Sequence, residues 1–447
     1  MVEKSSILKI VIAIGVAVIL YFITAPLFTT QQATLIGLIG LLITLWTNEG
    51  LHLGVVSLLP LILFPTVGVL DFDSVAPNYS KTIVYLFIGG FLIAMAMQKS
   101  GLHEKIAISI LSIFPSSLRG IMYALAITSG VMSGILSNTT VTILLVPIAM
   151  FLSEERYIQF RLILSVAYGA TIGGILTPIG TAPNLIYLGF AEDNGLPVMG
   201  FFEWIVALLP VVIVMMAVIP YILSIGVADH KIKTPKVDKS LNSEQKRVLY
   251  LLIGLIVTLL LNSKMEPLYS GLGLNEKLLL LGAGLSLFLP KFGVLTWDDM
   301  RDFPYAIIFL FGASFTIATA FTSTGLAEAI TGYMSGLQAL SLILLMLVVV
   351  TLVCFTTEIT SNTALISMAL PVLYTFVQQS GIENGEVLLF MATVVSSYAF
   401  MLPIATPPNA IAVSTGKVSI SQMAKLGFII NLIGITVLIT IGYTFWL

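Results

Sequence analysis

Tyr85 to Ile106 reads YLFIGGFLIAMAMQKSGLHEKI, and Phe309 to Ile330 reads FLFGASFTIATAFTSTGLAEAI. The two stretches align without a gap at an offset of 224 residues (309 − 85). In that frame Phe87 meets Phe311, Phe91 meets Phe315, Gly101 meets Gly325, Leu102 meets Leu326 and Glu104 meets Glu328. The same frame lays Ser137-Asn138-Thr139 onto Ser361-Asn362-Thr363, and Pro147 onto Pro371. Apolar residues align by chance in a chain rich in them, but a polar tripeptide and a proline in one frame do not. Repetition of this kind marks a duplicated structural unit.

The surroundings of the repeat set its solvent. Of 447 residues, 58% are hydrophobic and 9% charged, against roughly a quarter charged in soluble domains. No soluble core hides that much apolar surface. About 20 apolar residues cross a hydrocarbon layer, and Leu8 to Ala25, Ile83 to Gln98, Phe201 to Val227, Val248 to Leu261, Leu278 to Leu289 and Gln422 to Phe445 all qualify as apolar segments. The expected fold class is an all-α polytopic membrane protein. Leu8 to Ala25 lacks a small-residue cleavage site and reads as a retained first span. A net charge of -2 gives no support for binding nucleic acid. The single cysteine, Cys354, excludes a disulfide framework or a Cys-rich metal site, and His52, His103 and His230 have no metal-like spacing.

Basic residues orient the spans, because cytoplasmic loops carry the excess of Lys and Arg. The richest loop, Asp229 to Arg247, contains Lys231, Lys233, Lys236, Lys239, Lys246 and Arg247. Placing it inside puts Lys4, Lys9, Lys99, Lys105, Arg119, Arg156, Arg161, Lys291, Arg301, Lys417 and Lys425 on the same side, leaving Lys81, Lys264 and Lys277 outside. This arrangement has the N-terminus in, the C-terminus out and about eleven full spans. It requires the apolar segments near residues 118 to 152 and 338 to 376 to enter and leave from one side. Five crossings then separate the two copies, so the second is inverted, an architecture of many secondary transporters.

Each half breaks its apolar pattern twice. The first half has residues 133–140 (SGILSNTT) and 177–184 (TPIGTAPN); the second has 356–363 (TTEITSNT) and 405–409 (ATPPN). Asn138 to Asn184 spans 46 residues and Asn362 to Asn409 spans 47. Proline lacks an N–H and clashes with the preceding turn, so spans through 177–184 and 405–409 are broken. Backbone groups exposed within a bilayer are tolerated only where they are buried in protein or line a cavity. At each tripeptide a new helix begins, and helix starts attract anions through free N–H groups; unwound carbonyls with Ser, Thr and Asn oxygens suit sodium. An isolated Ser-Asn-Thr reads equally as an N-cap or a packing surface, but four interruptions paired at matching spacing favour a site. Two equivalent anion sites facing one another suit a ligand charged at both ends. None of the four motifs contains Lys or Arg, and Lys417 is the nearest, which leaves bound cations as the simplest neutralising partner.

Glu358, inside a hairpin, reads either as a proton relay or as a residue on the hairpin surface. Asn48, Glu49 and His52 read as a solvated turn. Gly101 to Ile110 and Gly325 to Met334 read as short amphipathic segments at opposite interfaces, joining a moving part to a fixed one.

The two Ser-Asn-Thr tripeptides and Leu402-Pro403-Ile404-Ala405-Thr406-Pro407-Pro408-Asn409 make the chain similar to the divalent anion/sodium symporter family, the INDY-type carboxylate transporters. The repeat extends the resemblance over nearly the whole chain. It implies a homodimer whose protomers each hold a scaffold and a transport part that slides like an elevator. Residues 1–117 and 229–337 would supply scaffold, interfacial arms and the cytoplasmic linker, and 118–228 and 338–447 the hairpins, broken spans and last helices. Asn138, Thr139, Asn362, Thr363, Thr406 and Pro407 would face the substrate carboxylates, with Ser137, Thr181 and Ser361 beside them. One sodium site would fall on Ser133, Ser137, Asn138 and Gly180, and a second on Thr357, Thr360, Ser361, Asn362 and Ala405. Residues 177–181 depart mildly from the family pattern through Pro178. No cofactor is implied beyond sodium as a coupling ion.

The expected activity is secondary transport of C4 to C5 dicarboxylates (succinate, malate, fumarate, 2-oxoglutarate), by sodium symport or by exchange. A carrier of citrate or sulfate on the same architecture is the alternative within transport, and an ion channel or membrane sensor the alternative outside it. An enzyme is not expected, because no catalytic dyad, metal cluster or cofactor loop appears.

Overall fold

The computed structural model describes residues 2–227, 240–263 and 269–447, the side chains of 2–5 and 335 excepted. The basic residues Lys231, Lys233, Lys236 and Lys239, together with His230 and Lys264, lie outside the described residues. Among those described, the regular elements are helices. Six are long and apolar enough to cross a membrane: Ser6–Thr24, Thr30–Asn48, Phe72–Ser100, Phe201–Ser224, Tyr305–Ser323 and Ile420–Phe445. Of the other apolar segments read from the sequence, one forms Ser243–Asn262 and the next forms Glu276–Ser286, only 11 residues long, or about 16 Å at 1.5 Å per residue.

Local chemistry explains where elements stop. Thr82–Ser100 ends on Gly101 at φ 69°, and Tyr305–Ser323 is followed, after Thr324, by Gly325 at φ 67°. Only glycine takes that left-handed conformation without a steric penalty, so the paired glycines turn the chain into the short arms Leu102–Leu111 and Leu326–Tyr333. Each arm is followed by a helix–turn–helix: Leu118–Ser133 with Asn138–Phe151, and Leu342–Thr357 with Asn362–Ser380. The helices starting at 102, 118 and 138 have counterparts starting at 326, 342 and 362, all displaced by the offset of the sequence alignment. The arms of the first hairpin, 16 and 14 residues, reach about 24 and 21 Å, short of a hydrocarbon core about 30 Å thick.

Beyond each hairpin lies an interrupted span: Arg156–Gly174 followed by Ala182–Asp193, and Glu386–Val395 followed by Pro407–Ser414. The main apolar core joins hairpins, interrupted spans and last helices. A smaller one packs Leu35, Leu42 and Phe64 from the N-terminal helices against Ile317, Phe321 and Leu326.

Candidate functional site

The two interruptions are variants of one sequence. At an offset of 225 residues (409 − 184), Thr177-Pro178-Ile179-Gly180-Thr181-Ala182-Pro183-Asn184 lies over Leu402-Pro403-Ile404-Ala405-Thr406-Pro407-Pro408-Asn409, so Pro178 has its counterpart in Pro403. Prolines at the first helical positions restart the chain at Ala182 and Pro407, where a missing N–H costs nothing. The free carbonyls upstream are taken by the closing asparagines. Asn184 Nδ2 donates to Thr177 O at 2.8 Å and Gly174 O at 3.3 Å; Asn409 Nδ2 donates to Leu402 O at 3.1 Å and Ala399 O at 2.9 Å. Both side chains are fully buried, and each staples the two halves of its broken helix.

The hairpin tips are likewise paired. Ser133 Oγ donates to Asn138 Oδ1, and Thr357 Oγ1 donates to Asn362 Oδ1 at 2.6 Å. Ser137 caps the helix from Asn138, accepting from Thr140 N at 3.2 Å. The link from tip to break is where the halves differ. In the first, Thr177 Oγ1 donates to Gly134 O. In the second, Glu358 stands where Gly134 does (358 − 134 = 224), and its carboxylate accepts from Phe400 N at 2.8 Å, Met401 N at 3.0 Å, Leu402 N at 3.1 Å and Asn431 Nδ2 at 2.7 Å. Glu358 is 3% exposed, which overturns its reading as a residue of the hairpin surface.

All four interruptions open on one cavity of about 280 Å³. Ser137, Asn138, Thr139, Thr181, Ser361, Asn362, Thr363, Thr406 and Pro407 all line it, as do Gly180 and Ala405. Of the remaining residues assigned to sodium by resemblance, Ser133 and Thr357 stand behind the asparagines they bond, and Thr360 Oγ1 donates to Thr356 O at 2.9 Å. Among the described residues the lining holds no Lys or Arg, so its polar groups are hydroxyls, amides and backbone. Thr406 Oγ1 is buried without a partner among the described residues. That donor set fits both an anion at the helix starts and a hard cation among oxygens. A wider cavity of about 750 Å³ shares Thr139, Ser361 and Thr406 and extends to Trp46, Glu49 and His52. Glu49 and His52 are exposed, in keeping with the solvated turn.

The family model for citrate transporters matches residues 41–395. The chain belongs to that family. It is a transporter, not an enzyme. Over 95% of its length this citrate-transporter family member is 29% identical to a Staphylococcus saprophyticus protein named sodium-dependent dicarboxylate transporter, of which it covers 89%. A Staphylococcus aureus protein of the same name is 28% identical over the same share. Two solved structures share the fold: the YdaH transporter of Alcanivorax borkumensis (TM-score 0.59, 14% identity, 84% of this chain and 88% of that one) and MtrF of Neisseria gonorrhoeae (TM-score 0.58, 11% identity, 95% and 97%). Together they make the chain a multi-pass, all-α membrane transporter.

Sequence reasoning missed the apolar wall of the cavity. Phe87 and Phe311 stack with ring centroids 4.2 Å apart and both line it with Phe91 and Leu310. The alignment had paired Phe87 with Phe311, and a residue that touches its own counterpart marks the meeting line of the two copies. The ring of N–H donors around Glu358 was also missed, because no local pattern places Asn431 beside it.

Proposed function

We propose that this transporter carries C4 to C5 dicarboxylates such as succinate, malate, fumarate and 2-oxoglutarate across the cytoplasmic membrane, coupled to sodium as a symporter. The observation that carries the reading is the convergence of both Ser-Asn-Thr tips and both proline breaks on one cavity without a basic residue. The helices starting at Asn138 and Asn362 offer N–H groups to an anion. Pro407 and Pro408 have none to offer, so that break contributes the Thr406 hydroxyl. A ligand with a carboxylate at each end meets both tips, and cations among the remaining oxygens balance its charge. The relatives named sodium-dependent dicarboxylate transporters support the same coupling.

The copies are inverted repeats, and the protein is a homodimer working as an elevator. Residues 118–228 and 338–447 move against a scaffold of 1–117 and 229–337, about eleven spans with two re-entrant hairpins. With the N-terminus inside, the wide cavity at Glu49 and His52 opens to the cytoplasm. On the other side Lys277 Nζ binds Glu192 at 2.6 Å and Thr82 Oγ1 at 2.9 Å, and Lys81 pairs with Asp193, so scaffold and transport part are tied where the path is closed.

The deciding experiment is uptake of labelled succinate into proteoliposomes, with and without a sodium gradient and with and without internal dicarboxylate. Sodium-driven uptake into empty vesicles is expected. An absolute need for internal substrate would replace symport by exchange, and no uptake or exchange of any dicarboxylate would end the reading. The citrate-transporter match favours one second substrate, citrate, on the same site; competition by citrate well below the succinate concentration would favour it.

A further inference from the structure

We propose that Glu358 is a fixed negative charge that makes the second of the two sodium sites the stronger one, filled at lower sodium than the first. This rests on the sodium-coupled reading above and deepens it.

The two halves supply nearly the same oxygens. Ser133 with Asn138 and Gly180 is matched by Thr357 with Asn362 and Ala405. Adjacent to this set the first half has Gly134 and the second Glu358, next in chain to Thr357. Both Glu358 oxygens act as acceptors: Oε1 takes Phe400 N, Met401 N and Asn431 Nδ2, while Oε2 takes Met401 N and Leu402 N. All are N–H donors, which is the pattern of an ionised carboxylate; a protonated one needs an acceptor for its own hydrogen. No ion pair among the described residues involves Glu358. A buried charge without a partner is costly, and neutral donors stabilise the carboxylate without cancelling its charge. A cation bound at Thr357, Ser361 and Ala405 supplies the missing charge. The first half needs none: Ile175 N and Leu176 N close on Ile172 O and Gly173 O, and the hairpin is joined to the break by the neutral Thr177–Gly134 bond.

The test is sodium binding to purified protein without substrate, read as stabilisation against heat while sodium chloride replaces choline chloride. For the wild type a saturable midpoint is expected. Glu358→Gln should raise it at least tenfold, whereas Asn431→Ala, which removes a neutral donor and keeps the charge, should raise it less than threefold. An unchanged midpoint in Glu358→Gln, or an equal rise in both, overturns the inference and leaves the carrier reading intact. A wild type blind to sodium overturns the inference together with the sodium coupling on which it rests. Should Glu358→Gln not fold, Thr357→Val and Ser133→Ala decide: the first should raise the midpoint more, and the reverse order overturns the inference.

Discussion

At positions 130, 134 and 173 the first half carries glycine; at the matching positions the second carries Cys354, Glu358 and Tyr398. A Cβ built on Gly173 would lie 2.1 Å from Gly130 O, so the first hairpin and its broken span touch backbone to backbone. In the second half Cys354 Sγ lies 3.8 Å from Tyr398 O and Glu358 holds three successive N–H groups. One half is rigid because small residues let helices meet closely. The other is rigid through charge-assisted hydrogen bonds, which are roughly twice as strong as neutral ones. A duplicated frame has thus kept its geometry while exchanging the chemistry that holds it.

The largest expected effect tests whether the tips remain equivalent despite this. Asn138→Ala and Asn362→Ala should each cut uptake by about 100-fold or more, the loss of roughly 3 kcal/mol of site hydrogen bonding, with the elution volume on size-exclusion chromatography unchanged. Wild-type uptake in both would mean the site is misplaced, and loss in only one would mean a single tip binds.

Next comes a test of the packing. Gly173→Ala places a methyl against three backbone atoms of Gly130 at 2.1 to 2.4 Å, where no rotamer change relieves it. Destabilisation of about 3 kcal/mol is expected, seen as a lower thermal midpoint. Cys354→Ala, at the position matching Gly130, removes the sulfur that lies against Tyr398 O and inserts nothing, so it should cost less. Equal losses would show that the second half is packed as tightly as the first.

The asparagine staples should follow. Asn184→Ala and Asn409→Ala each remove a buried amide donor shared by two backbone carbonyls, for roughly 1 to 3 kcal/mol. The larger loss is expected for Asn184, whose break has only neutral bonds to its hairpin, and thermal midpoints of the two variants compare them directly. A larger loss at Asn409 would mean that Glu358 does not brace its break.

What the sequence disclosed follows from the range of each interaction. Gly101 with Gly325, both tripeptides and both prolines act on their own neighbours, so the breaks and their near-equal spacing were legible from residues alone. The four interruptions that open on the cavity were singled out this way, because symmetry in sequence became proximity in space, while the individual residues facing it came from the family resemblance. The side chains that clamp the frame were not legible. Glu358 reaches residues 42 to 73 positions away, and Phe91 or Leu310 lines the cavity only because two helices bring it there. The second frame, offset by 225, was hidden by a one-residue insertion between hairpin and break.

The smallest expected effect concerns the far ends of the broken spans. In the first half Glu192 and Asp193 bind Lys277 and Lys81, residues of the proposed scaffold. In the second half the matching end, at the offset of 225, is Lys417 and Val418, and the preceding Gly416 O accepts from Arg156 Nη2 at 3.0 Å, within the proposed transport part. If the transport part slides, the lysine pairs must break in each cycle and the arginine bond need not. Lys277 and Glu192 are 21% and 41% exposed, so their pair is worth at most about 1 kcal/mol. Lys277→Ala should therefore change the uptake rate by less than about fivefold, and the change should shrink at high ionic strength, where exposed charges are screened. Arg156→Ala should leave the rate and its salt dependence where they were. An arginine variant that shifts the rate as far as the lysine variant would place the sliding boundary elsewhere in the chain.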